Sequence, residues 1–162
     1  MMSIVIFKSI VLFASFFTLI GIVASNNESK STEVKVLVVK NIKDYLQSHP
    51  NATLIPMKMS RQARLNQNWY TLGGRTMGDR LVATNNGWAQ YPSKQNVELT
   101  IWYPTNGVGA RLTYVQVLIT QDASTFGRGY VTAGGIGQRF VQLIVEAWDT
   151  SYVRYDYSIF GV

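Results

Sequence analysis

Three sets of residues have the types and spacing to do chemistry. Asp79 sits between Gly78 and Arg80, four residues after Arg75. A carboxylate there could be a general acid or base, but that work needs a second acid or base close by, and the sequence points to none. A turn aspartate that accepts backbone N–H bonds and pairs an arginine fits the same residues better. Gly134-Gly135-Ile136-Gly137 could cradle a phosphate if a helix opened directly after it. The following Gln138-Arg139-Phe140-Val141 reads as strand instead, so these glycines read as a turn that needs positive φ. His49 is the only imidazole and lies beside Pro50, with no Gly-x-Ser-x-Gly elbow in the chain. A serine hydrolase is therefore not expected.

The absence of cysteine excludes disulfides, thiolate zinc, iron–sulfur clusters and cysteine nucleophiles. One histidine, and no three or four acids at loop spacing, leave no metal site. The expectation is a protein without cofactor and without catalytic residues.

Aromatic side chains remain. Fifteen of the twenty lie in Trp69–Val162, and cross-strand packing accounts for most of them. Trp102 and Trp148 each stand opposite the most apolar row of their segment, which makes them the candidate binding surface unless a second layer covers them. Stacking on nucleic acid would need phosphate neutralisation. Trp69–Val162 carries seven Lys and Arg against six acids, a balance of only +1, so no direct nucleic-acid contact is expected. The partner expected is a protein or a small molecule.

The charge lies elsewhere. The 162 residues carry a formal +6, of which Lys8 supplies one unit. Residues 26–68 supply four, from seven cations against three acids. At 47% hydrophobic and 15% charged, the chain is too apolar for disorder.

Lys8 precedes an apolar stretch from Ile10 to Ala24, with Val23 and Ser25 as small exit residues. This reads as a signal peptide over 1–25; an uncleaved anchor is the rival reading, because the stretch approaches the ~20 residues that span a bilayer. Cleavage would leave an extracellular chain with no membrane anchor. Sequons at Asn27 and Asn51 agree, and Asn51, beside Pro50 in a loop, is the better glycan acceptor.

Residues 26–68 then form a basic extension, with no glycine, tryptophan or phenylalanine. Val34, Leu37, Val38, Ile42, Tyr45 and Leu46 recur at helical spacing, and the predicted helix ends before His49-Pro50. Val34, Val36 and Val38 also alternate, so a short strand fits the same letters. Arg61-Gln62-Ala63-Arg64 has the form of a basic processing site, which would make the extension a pro-segment; a solvated linker is the plainer reading.

Residues 69–162 read as all-β. Period-two alternation runs through 97–103, 112–119, 141–147 and 153–159, the pattern of half-buried strands. Leu81-Val82-Ala83 and Tyr130-Val131-Thr132 are shorter candidates. Turn chemistry separates them at Asn86-Gly87, Pro104–Gly107, Phe126–Gly129 and Gly134–Gly137. An antiparallel sandwich or barrel follows.

Arranged in this way, the segment resembles the insect multiprotein bridging factor two family, which includes proteins described as salivary secreted peptides. The resemblance rests on Gly73-Gly74-Arg75-Thr76-Met77-Gly78-Asp79-Arg80-Leu81-Val82, on Tyr130-Val131-Thr132-Ala133-Gly134-Gly135-Ile136-Gly137 and on Tyr157-Ser158-Ile159-Phe160-Gly161. It covers roughly 68–162, and the extension matches nothing in it. Its motif positions here are Gly74, Arg75, Gly78, Asp79, Arg80, Gly134, Gly135 and Gly137, expected as scaffold framing a binding surface. The resemblance implies no catalytic residues. It implies one of two functions: a secreted binding protein, or a co-activator that bridges DNA-bound factors by protein contacts. The export signal favours the first.

Overall fold

The computed structural model describes residues 24–25, 32–39, 42–122 and 126–162. Nearly all of the segment read as a signal peptide, and Asn27 with its sequon, lie outside the described residues. The elements are β1 (Ala24–Ser25), β2 (Glu33–Val39), α1 (Ile42–Ser48), β3 (Ile55–Pro56), β4 (Lys58–Gln62), a 3-10 turn at Ala63–Leu65, β5 (Gln67–Gly73), β6 (Arg80–Tyr103), β7 (Leu112–Gln121), β8 (Gly129–Gly134) and β9 (Val141–Gly161). Every strand pairing is antiparallel. The chain is thus all-β, with its nine strands in one antiparallel sheet that folds over on itself as a sandwich.

Two long strands, β6 and β9, make both layers. Arg80–Gln90 pairs with Tyr152–Gly161, and Gln95–Tyr103 pairs with Val141–Thr150. Between these halves the ribbon folds over. Pro92 interrupts the ladder there because it lacks an N–H. The register shifts between Gln90 and Gln95 and again before Val97, and Asp149 takes a positive φ of 50°. Strands β7, β5 and β4 extend the first layer, and β2 on one side with β8 and β3 on the other extend the second.

Alternation decides what lies between the layers. Ala83, Ala89, Tyr155, Tyr157, Ile159, Val115, Val117 and Tyr70 face inward from the first layer; Val97, Leu99, Ile101, Leu143, Val145 and Val131 face them from the second. Each fully buried valine, leucine or isoleucine among them stabilises the fold by roughly 1.5–3 kcal/mol. Gly129 lies against the Tyr70 ring, where the layers touch.

Three expectations change. Val34, Val36 and Val38 sit on strand β2, not on a helix, because their alternation pairs them with Ile101, Leu99 and Val97 of β6. The helix covers only Ile42–Ser48 and stops before His49-Pro50, where proline disfavours helix. Asn86-Gly87 is not a turn but lies inside β6. A Cβ on Gly87 would come within 2.5 Å of the Tyr155 hydroxyl, so glycine is there to admit that ring. The basic segment 26–68 contributes β2 and β4 to the sheet, and the compositional change at Trp69 falls inside β5.

Candidate functional site

Because β6 and β9 fold over, their four ends return to one end of the sandwich. The connections β5–β6, β6–β7 and β8–β9 and the residues after β9 all meet there, and the first and third carry the motif glycines and charges.

The β5–β6 loop is built around Asp79. Its carboxylate accepts from Arg75 Nε at 2.9 and 3.1 Å, from the Thr76 N–H at 2.9 Å and from Thr113 Oγ1 at 3.0 Å. A second guanidinium nitrogen stands 2.7 Å away, and the Asp79 side chain is only 1% exposed. The Arg75 guanidinium, followed by the Thr76 N–H, holds the Asp79 carboxyl at about 2, well below the usual carboxylate range. It is therefore ionised at neutral pH with its lone pairs engaged, which suits bracing rather than proton transfer. Arg75 also stacks 3.7 Å from the Phe160 ring centre, tying the loop to the end of β9. Arg80 is exposed at the start of β6.

The β8–β9 loop spends its N–H groups on protein carbonyls. Gly135 N donates to Phe140 O at 3.0 Å, and Gly137 N donates to Leu112 O at 2.8 Å. A phosphate cradle needs those donors pointing outward. The turn instead needs Gly134 at a φ of 69° and Gly137 at 82°, conformations open mainly to glycine. In the β6–β7 loop, Ala110 N donates to the Tyr103 hydroxyl and Arg139 to Gly109 O, each at 3.0 Å. The loops are thus cross-braced. Between them lies an open groove of about 580 Å³, bordered by Arg75, Met77, Arg111, Thr113, Ile136 and Val162.

The two tryptophans fall on a different surface, the outer face of the second layer. Trp102 is half-buried beside a groove of about 390 Å³ that α1 overhangs, with Lys35, Tyr45, His49, Glu98 and Gln142 around it. Lys35 Nζ stands 5.2 Å from its ring centre. His49 stacks on Tyr45 at 4.2 Å, with Nδ1 3.0 Å from Ser48 Oγ. Trp148, half-buried under Arg128 at 5.8 Å, lies six residues along β9 from the cross-strand partner of Trp102. At about 3.3 Å per residue that is roughly 20 Å, so the pair does not form one patch.

Between the tryptophans lies a feature that the sequence reading passes over. Glu98 and Glu146 are direct cross-strand partners, 4% and 1% exposed. Glu146 accepts the Ile42 N–H at 3.0 Å from the first residue of α1. Burial pushes the Glu146 carboxyl above its usual range, although the Trp148 and Ile42 donors oppose the shift. Both glutamates alternate like solvent-facing residues. The signal that could have found them is the company they keep, Trp102, Ile144 and Trp148, an outer face too apolar to be left open.

Asn51 is exposed in the turn after α1, as a glycan acceptor must be. Arg61 ends up on exposed β4 and Arg64 in the 3-10 turn after it. Among the described residues, no group of three or more His, Asp or Glu could hold a metal ion, and no helix is long and apolar enough to cross a membrane.

No curated protein and no solved structure matches the chain. Residues 72–161 match the family model described as Transcription activator MBF2. That span takes in both braced loops, most of the sandwich and more than half of the sequence, and the chain accordingly belongs to the MBF2 family.

Proposed function

We propose that this chain is an exported, non-enzymatic binding domain, released in saliva or another extracellular fluid, that acts by docking its loop end on a partner. The observation that carries the reading is the construction of that end. Three loops are tied together by hydrogen bonds, and the first is stiffened by its own ion pair, yet they leave apolar side chains and arginines outward. A rigid surface with exposed apolar groups is what recognition uses. The apolar stretch Ile10–Ala24 and the exposed Asn51 sequon support export.

Expression of the full chain with a C-terminal tag tests export. Mass spectrometry of the released protein is expected to find a chain that begins at Asn26 with a glycan on Asn51. Protein retained in the lysate with Met1–Ser25 intact would overturn it. Docking is tested by photocrosslinking from position 77 against position 93 at the opposite end. Capture from 77 alone is expected, and equal capture from both would remove the loop end from the reading.

The family description, a transcription activator, agrees with a second reading, in which the chain is an intracellular co-activator that bridges DNA-bound factors by protein contacts and touches no DNA itself. It predicts nuclear protein that co-precipitates with transcription factors, and purely extracellular protein would exclude it.

A further inference from the structure

Three apolar side chains at the loop end stand out because each sits beside glycine at a loop apex. Met77 precedes Gly78, Val108 lies between Gly107 and Gly109, and Ile136 lies between Gly135 and Gly137. Met77 is 103% exposed, Val108 83% and Ile136 41%. Their backbones are fixed by the Asp79 brace, by the Arg139–Gly109 bond and by the Gly137–Leu112 bond. In water, a rigid apex gains nothing from displaying a whole methionine or valine side chain.

The charged groups around these apices are one-sided. Arg75, Arg80, Arg111 and Arg139 lie in or beside the loops against the single acidic side chain of Asp79, which is already committed to Arg75. That is a local side-chain balance of +3 on a segment whose total is only +1. The fold of β6 and β9 at the opposite end has no such excess, since Asp122 and Asp149 face Lys94 there. Ser93, Gln95 and Ser151 lie there with a Lys94–Asp149 pair at 3.3 Å.

We propose that the loop end docks on anionic phospholipid surfaces, with Met77, Val108 and Ile136 entering the boundary between headgroups and acyl chains while the arginines meet lipid phosphates. This deepens the reading above and rests on it, since it takes the loop end as the binding surface. Two observations favour lipid over a folded protein. The apolar groups are tips on separate loops, and the groove beside Met77 and Ile136 is bordered by Arg75, Arg111 and Thr113, whereas a protein interface wants one contiguous apolar centre with charge depleted from it. Tips of this kind can each enter a fluid interface independently, while arginines on the same loops keep their guanidinium groups at the headgroup level.

The sequence supplies a clean test, because it contains no cysteine. The chain released by expressing cells would be mixed with vesicles of phosphatidylcholine alone or with added phosphatidylserine. Co-sedimentation is expected only with phosphatidylserine and is expected to weaken with salt. Met77→Ser with Val108→Ser is expected to weaken it about tenfold, and Arg111→Gln or Arg139→Gln about fivefold each. An environment-sensitive dye on Met77→Cys should shift to the blue on those vesicles, while the same dye on Ser93→Cys should not. Thermal melts that match the parent chain establish that the variants are folded. Absence of binding at low salt, binding indifferent to Met77, or a dye shift at position 93 would overturn the proposal. If vesicles fail while crosslinking from position 77 captures a protein, the lipid assignment falls and the docking surface stands. If neither position 77 nor the vesicles respond, both fall.

Discussion

The motif positions divide by what their backbones demand. Gly134 combines a φ of 69° with a Cβ position that would overlap the Phe140 carbonyl oxygen. Gly78 has a φ of 83° with open space, and Gly74 has neither constraint. Gly134→Ala is therefore expected to cost about 3 kcal/mol, from left-handed strain plus overlap. Gly78→Ala should cost roughly 1–2 kcal/mol, from strain alone, and Gly74→Ala should stay within about 0.5 kcal/mol. Urea unfolding of the three variants checks this order. Asp79 adds a titration. Its folded pKa lies below its ordinary 3.8, so its contribution to stability is fully present above that value and is lost as pH falls through about 2. Carbon NMR of the side-chain carboxyl should find a midpoint near 2. A midpoint near 3.8 would mean that the Arg75 brace does not form in solution. At this scale the sequence was informative: Gly-Asp-Arg after an arginine pointed to a turn, and clustered glycines to positive φ. It was silent on Thr113, the fourth donor to Asp79, because only the meeting of β5 with β7 brings that hydroxyl near.

At the scale of elements, α1 is the part whose placement matters most. It is seven residues long, too short to hold itself together in water, and its first N–H is bonded to Glu146. Glu146 in turn has its carboxyl raised by burial, with Glu98 adding repulsion and Arg128 opposing it. A raised acid makes the sign clear. The unfolded chain releases its proton first, so the associated stability is full below about 4.5 and is lost as pH rises through the folded value. Glu146→Gln keeps an acceptor for Ile42 without the charge. It is expected to flatten the loss of stability between acid and neutral pH, read from urea midpoints; an unchanged slope would mean that the carboxylate is solvated. Sequence reasoning saw the valine alternation of β2 but weighed it against helical spacing that the same letters also fit. The ladder to β6 resolved that ambiguity, since Val34 and Val36, in register with Ile101 and Leu99, gain burial only on a strand.

For the whole molecule, segment 26–68 cannot be trimmed as an appendage. Removing residues 26–64 deletes β2 from the edge of β6 and β4 from the edge of β5. It uncovers two sheet edges and the core beneath Val34, Val36 and Met59. At roughly 1 kcal/mol for each half-buried apolar side chain, with open edges that invite pairing between chains, the truncated chain is expected to melt lower and to elute as aggregate on size exclusion. A monomer that melts like the parent would show that these strands are dispensable. Composition, alternation and motif spacing determined by themselves that the chain is an antiparallel β-protein, that Asp79 and the Gly134–Gly137 run build turns, and that it resembles the MBF2 family. Those properties are local, and each is written within a few residues of itself. The tertiary structure alone decided that β6 and β9 fold over, that both motif loops meet at one end, that Trp102 and Trp148 part company, and that two glutamates lie under a helix. Each of those depends on contacts between residues tens of positions apart, and no local period or composition encodes such distances.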